Sequence, residues 1–150
     1  LPRAQVIRLF MLFEAATFVV AALVHFGALI GGYEHRTAGI AESVIATVLL
    51  AGLLLTWVRP SWTRRAGLLA QGFALLGTLV GIFTIIVGVG PQTLPDIVYH
   101  VAIVIVLLVG LIVAARGGCG PFNPEGLIVP GERRSCQTDC GNYPVDKCGR

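Results

Sequence analysis

The chain has 150 residues, of which 55% are hydrophobic and only 13% charged, with a formal net charge of +3 at pH 7. Soluble domains carry about 25% charged residues, and a fold of this length cannot hide so much apolar surface, so the composition excludes an ordinary soluble domain and makes the lipid bilayer the expected partner. The positive charge is too small and too scattered to point to nucleic acid.

Residues 1–8 precede the first apolar run and are expected to be a short cytoplasmic N-terminus. The first apolar run, Leu9–Ile30, is roughly 20 residues long, enough to cross a hydrocarbon core of about 30 Å at about 1.5 Å per residue. Inside lipid the backbone must satisfy its own polar groups, so the run is a helix and not a strand. Its length, the interior Glu14 and the lack of an A-x-A cleavage site make it a retained span rather than a cleaved signal. Glu14 and His25 stand about three turns apart and share a face.

Gly31-Gly32 stops this helix and opens the loop Gly31–Thr37, where Glu34 and His35 are read as solvated. The second run, Ala38–Val58, places Glu42, Ile45, Leu49, Gly52 and Thr56 on one stripe. Arg59-Pro60 ends it and the loop Arg59–Arg65 follows. The third run, Ala66–Val89, carries a narrow stripe of small residues through Gly67, Ala74, Gly77, Gly81 and Gly88. In lipid such a seam lets helices approach closely. The expectation is packing within the bundle, and a homo-oligomer seam is the alternative. Gly90-Pro91 marks the loop Gly90–Asp96, and the fourth run, Ile97–Ala115, presents His100, Ile103, Leu107, Gly110 and Ala114 in line with Asp96.

Short loops force neighbouring helices to run antiparallel. The expected fold is therefore all-α: a four-span antiparallel transmembrane bundle over residues 9–115, with spans near 9–30, 38–58, 66–89 and 97–115. Arg3, Arg8, Arg59, Arg64, Arg65 and Arg116 gather on one side, and only Arg36 lies on the other. The positive-inside rule then puts both termini in the cytoplasm of a bacterial-type inner membrane.

Ionisable groups at membrane depth are costly and normally face the bundle interior. They sort into two levels. His25, Glu42 and His100 lie near the outer side, and Glu14 with Gln71 forms a sparser inner level that could hold a proton or an ion. A His25–Glu42 pair closing the first hairpin needs no function beyond packing. His25, Glu42 and His100 together have the composition of a zinc or non-haem iron site, and two histidines on separate helices can ligate a b-type haem. A cofactor, haem b or a divalent metal, is thus the main alternative.

The segment "FEAAT" around Glu14, in the first of four short helices, is similar to the membrane-embedded glutamate region of the small multidrug resistance exporters. That resemblance implies proton-coupled export through Glu14. The aromatic, Gly-rich third helix of that family, with its Trp, has no counterpart here. No phosphate-binding loop, serine elbow or nucleophile with an evident base is present, so an enzyme is not the expected reading.

Residues 116–150 differ from the rest. They hold all four cysteines, Cys119, Cys136, Cys140 and Cys148, in a Gly/Pro-rich stretch expected to be an irregular, disordered cytoplasmic tail. A reducing compartment disfavours disulfides there. Cys136 and Cys140 are loosely compatible with zinc, and Cys119 is distant from them. The function expected from the whole is a small polytopic integral membrane protein, a non-enzymatic accessory or assembly subunit that joins a larger membrane complex or its own copies.

Overall fold

In a computed structural model, residues 1–116 are described. They form four helices, α1 (Arg3–His25), α2 (Arg36–Val58), α3 (Thr63–Ile86) and α4 (Leu94–Ala115), with a short 3-10 turn at Pro60–Trp62 and no strand among the described residues. All four helices are long and apolar enough to cross a membrane. The residues bearing the four cysteines lie outside the described part.

Each helix end has a local cause. The Pro2 carbonyl accepts the first turn of α1 from Gln5 N–H at 2.9 Å and Val6 N–H at 3.3 Å, so the helix starts before the apolar run begins and takes in Arg3, Gln5 and Arg8. It stops at His25 and not at Ile30. Gly27 adopts φ +72°, its N–H bonds to the Val24 carbonyl, and Ala28 N–H bonds to the Leu23 carbonyl, both at 2.9 Å. This is the left-handed glycine cap that satisfies the last carbonyls of a helix.

The same device ends α3. Gly88 has φ +81°, Gly88 N–H reaches the Ile85 carbonyl at 3.1 Å, and Val89 N–H reaches Thr84 at 2.9 Å. The apolar runs Leu9–Ile30 and Ala66–Val89 therefore overrun their helices. Leu29, Ile30 and Val89 are apolar, but hydropathy does not register a cap. Gly88 accordingly leaves the packing seam: it is an exposed terminator.

The loop between α1 and α2 is tied down. His35 N–H bonds to the His25 carbonyl at 2.9 Å, and Gly32 N–H donates to Glu34 Oε2 at 2.9 Å. Backbone N–H groups of Glu34 itself and of Gly32 hold the exposed Glu34 carboxyl below the usual carboxylate range. His35, expected to be merely solvated, caps α2: its Nδ1 accepts from Ala38 N–H at 3.3 Å. Thr93 caps α4 by accepting from Asp96 N–H at 3.4 Å.

The interior follows the helical period. On α1 the buried positions are Ile7, Met11, Glu14, Ala15, Phe18, Ala22 and His25, steps of three and four that define one face. They meet Ile45 and Leu49 of α2, Ala70 and Ala74 of α3, and Ile103 and Leu107 of α4 in a single core. Three glycines of the α3 stripe touch the chain's own helices. A Cβ on Gly67 would stand 2.8 Å from Ile7, one on Gly77 2.9 Å from Ile45, and one on Gly81 3.2 Å from His100. Consecutive helices pack side by side, and α1 also meets α4 and α3 more lightly.

At one end of the helices Arg8 donates through Nε to Thr56 Oγ1 at 3.1 Å and through its guanidinium to the Thr56 carbonyl at 2.6 Å, with Trp57 beneath its charge. Arg64 reaches the Ala115 carbonyl at that same end, at 3.4 Å. The outward faces carry large apolar side chains such as Leu54, Leu69, Leu76 and Ile86, compatible with a small membrane protein.

Candidate functional site: a bridged imidazole

At the opposite end, the last residue of α1 lies between the second turn of α2 and the first turn of α4. His25 Nδ1 is 2.7 Å from Glu42 Oε2, and its Nε2 is 3.1 Å from Asp96 Oδ1. The three residues are 3%, 5% and 8% exposed, so three helices meet through one buried imidazole. Both ring nitrogens face carboxylate oxygens, and each short contact needs a proton between its partners. With an imidazolium between two carboxylates, the three groups together carry one net negative charge.

Local structure places each member. His25 stands where the Gly27 cap ends α1. Glu42 occupies the second turn of α2, on the face that also buries Gly39, Ile45 and Ala46. Asp96 is in the first turn of α4, where a carboxylate suits the positive end of the helix dipole. Its other oxygen takes the hydroxyl proton of Thr93, the helix's own cap residue. Asp96 is thus satisfied on both oxygens, whereas Glu42 Oε1 is buried without a partner.

The sequence expectation grouped His25, Glu42 and His100. The structure pairs His25 with Glu42 but sets His100 aside, with Asp96 in its place. His100 Nδ1 lies 2.7 Å from the Asp96 carbonyl of its own helix, which spends that nitrogen one turn away. Asp96 carried a usable signal, since Thr93-x-x-Asp96 is a capping pattern that starts α4 at Leu94 and turns Asp96 inward.

His25 and His100 do not form an open haem-ligating pair. Both nitrogens of His25 are engaged within the chain. Among the described residues no group of three or more His, Cys, Asp and Glu side chains is arranged to hold a metal ion.

A second polar pair lies nearer the Arg8 end of the bundle. Gln71 Nε2 donates to Glu14 Oε1 at 3.2 Å, and both residues are fully buried. Glu14 Oε2 and Gln71 Oε1 have no partner. The space for this pair comes from α4: a Cβ on Gly110 would lie 2.6 Å from both Gln71 Nε2 and Glu14 Oε1. Gly110 is therefore a site residue that composition alone does not reveal.

Two cavities flank the bridge. An almost wholly apolar crevice of about 580 Å³ lies along α1 and α4, with His25, Asp96 and Tyr99 among its walls. A smaller cavity of about 270 Å³ lies on the other side of Glu42, against α2, α3 and the α1–α2 and α3–α4 connections. No protein-family model matches the chain, and neither does any curated protein or solved structure.

Proposed function

We propose that the chain is a four-span antiparallel bundle of a bacterial-type inner membrane, with both termini cytoplasmic, serving as a small non-enzymatic accessory subunit of a larger membrane complex. The single observation that carries this reading is the bridged imidazole. His25 commits both ring nitrogens to carboxylates of its own chain, which makes it a clasp joining α1, α2 and α4 rather than a ligand waiting for a cofactor. The small-residue seam supports the same view, because Gly67, Gly77 and Gly81 are used on the chain's own helices. The basic residues at the Arg8–Thr56 end support the orientation.

The test is purification at native abundance in mild detergent after cross-linking in the membrane. The expected result is a stoichiometric larger membrane protein in the eluate, together with a colourless preparation free of bound metal. Recovery of the chain alone would remove the accessory role. A haem absorption band lost on His25→Ala would replace that role with a cofactor function.

A second reading has its own support. Glu14 and Gln71 are fully buried, and each keeps one oxygen unpartnered, which is unusual for groups that serve only as glue. Proton-coupled export through Glu14 predicts that Glu14→Gln abolishes substrate-driven proton release from loaded vesicles. Unchanged release would eliminate it.

A further inference from the structure

The cavity of about 270 Å³ beside Glu42 has an unusual hydrogen-bond inventory. Its walls include Glu42, His35, His100, Thr78 and Thr84, and the partners of each group fix what remains on offer. His100 Nδ1 faces the Asp96 carbonyl. A carbonyl only accepts, so Nδ1 carries a proton, and in a neutral ring Nε2 is then an acceptor. His35 is the reverse: its Nδ1 accepts from Ala38 N–H, so its Nε2 carries the proton. The hydroxyls of Thr78 and Thr84 spend their protons on the Ala74 and Gly81 carbonyls at 2.8 and 2.7 Å, leaving oxygens that accept. Glu42 is 5% exposed, and its Oε1 is unpartnered.

Acceptors therefore dominate, and His35 Nε2 is the one donor among these five groups. A divalent metal does not suit this set, because among the described residues no three His, Cys, Asp or Glu side chains are arranged to hold one. Two carboxylates against one imidazole in the adjoining clasp favour a positive charge at the same place. The room is that of about nine water molecules at roughly 30 Å³ each, below the usual range for drug-sized ligands.

We propose that this cavity binds a small protonated amine, whose ammonium group donates to Glu42 Oε1, His100 Nε2 and a threonine oxygen while its apolar body lies among Ile45, Gly77 and Val80. Charge-assisted hydrogen bonds of this kind are the strong ones. His35 and Pro91, from the α1–α2 and α3–α4 connections, form part of the wall, so entry is from the end that carries those loops. This site is independent of any accessory role, and shares only Glu42 with the clasp.

The test uses the full chain in lipid nanodiscs at pH 7 with benzylamine as probe, its uncharged counterpart benzyl alcohol, and zinc ion alone. Benzylamine should bind saturably and shift the ring nitrogen resonances of His100, and benzyl alcohol should bind at least about tenfold more weakly, a difference of about 1.4 kcal/mol. Glu42→Gln should weaken the amine by at least that factor. Because Glu42 also holds the clasp, His100→Leu is the second variant. It leaves His25, Glu42 and Asp96 in place and should weaken the amine similarly with helical content unchanged. Equal binding of amine and alcohol, amine binding unaffected by His100→Leu, or displacement of the amine by zinc would each overturn the proposal.

Discussion

Replacing His25 with Leu should destabilise the folded protein by about 3–5 kcal/mol, the usual cost of removing one partner from a buried charged network. Hydrogen-bond counting gives a smaller figure. Interhelical hydrogen bonds in membranes average about 0.6 kcal/mol, so two of them amount to little more than about 1 kcal/mol. The difference lies in what remains. Without the imidazole, Glu42 and Asp96 face one another at 5% and 8% exposure with no cation between them, and like charges with little water repel strongly. The measurement is reversible unfolding in lipid bicelles. Two further results separate the causes. Acidification should narrow the gap between His25→Leu and the parent, because protonated carboxyls no longer repel. Combining His25→Leu with Glu42→Gln and Asp96→Asn should recover most of the loss. A deficit under about 1 kcal/mol would mean that the bridge contributes only its hydrogen bonds.

A contrast between two glycines is the second expected result. Gly110→Ala should cost about 1–3 kcal/mol, the range for inserting a methyl group into a filled interior. The added carbon would stand 2.6 Å from both Gln71 Nε2 and Glu14 Oε1 and 3.2 Å from Phe10. Glu14 and Gln71 are fully buried, so turning their side-chain ends away from the new methyl group gives up the hydrogen bond between them. Gly72→Ala, on α3, meets nothing within 4 Å. There the only change is the better helix propensity of alanine, so the variant should be neutral or stabilised by up to about 1 kcal/mol. The same unfolding assay reads both. Equal effects at the two positions would show that the Glu14–Gln71 pair does not need the notch in α4.

The helical class and the four membrane-length helices were legible from the apolar runs alone, because run length against bilayer thickness is a strong constraint. Helix ends were less so. Leu29, Ile30 and Val89 continue the hydropathy of their spans, yet the chain has already turned at Gly27 and Gly88 through left-handed φ angles. Sequence depth brought His25 and Glu42 to one level, and the structure joins them at 2.7 Å. Depth did not choose between Asp96 and His100. They stand one turn apart on the same face of α4, and the choice depends on where α4 starts and on His100 spending Nδ1 on its own backbone. The role of Gly110 was not legible at all. A glycine among other small residues reads as seam, and only the positions of Glu14 and Gln71 show what its missing side chain makes room for.

The bridge has an order of assembly built into it. Glu42 is 17 residues from His25 along the chain, and Asp96 is 71. A nascent polypeptide can therefore make the imidazole–carboxylate contact as soon as its first hairpin exists, whereas the second acid is available only once the last helix has been made. Closure of the quartet thus depends on a residue that the first hairpin does not carry.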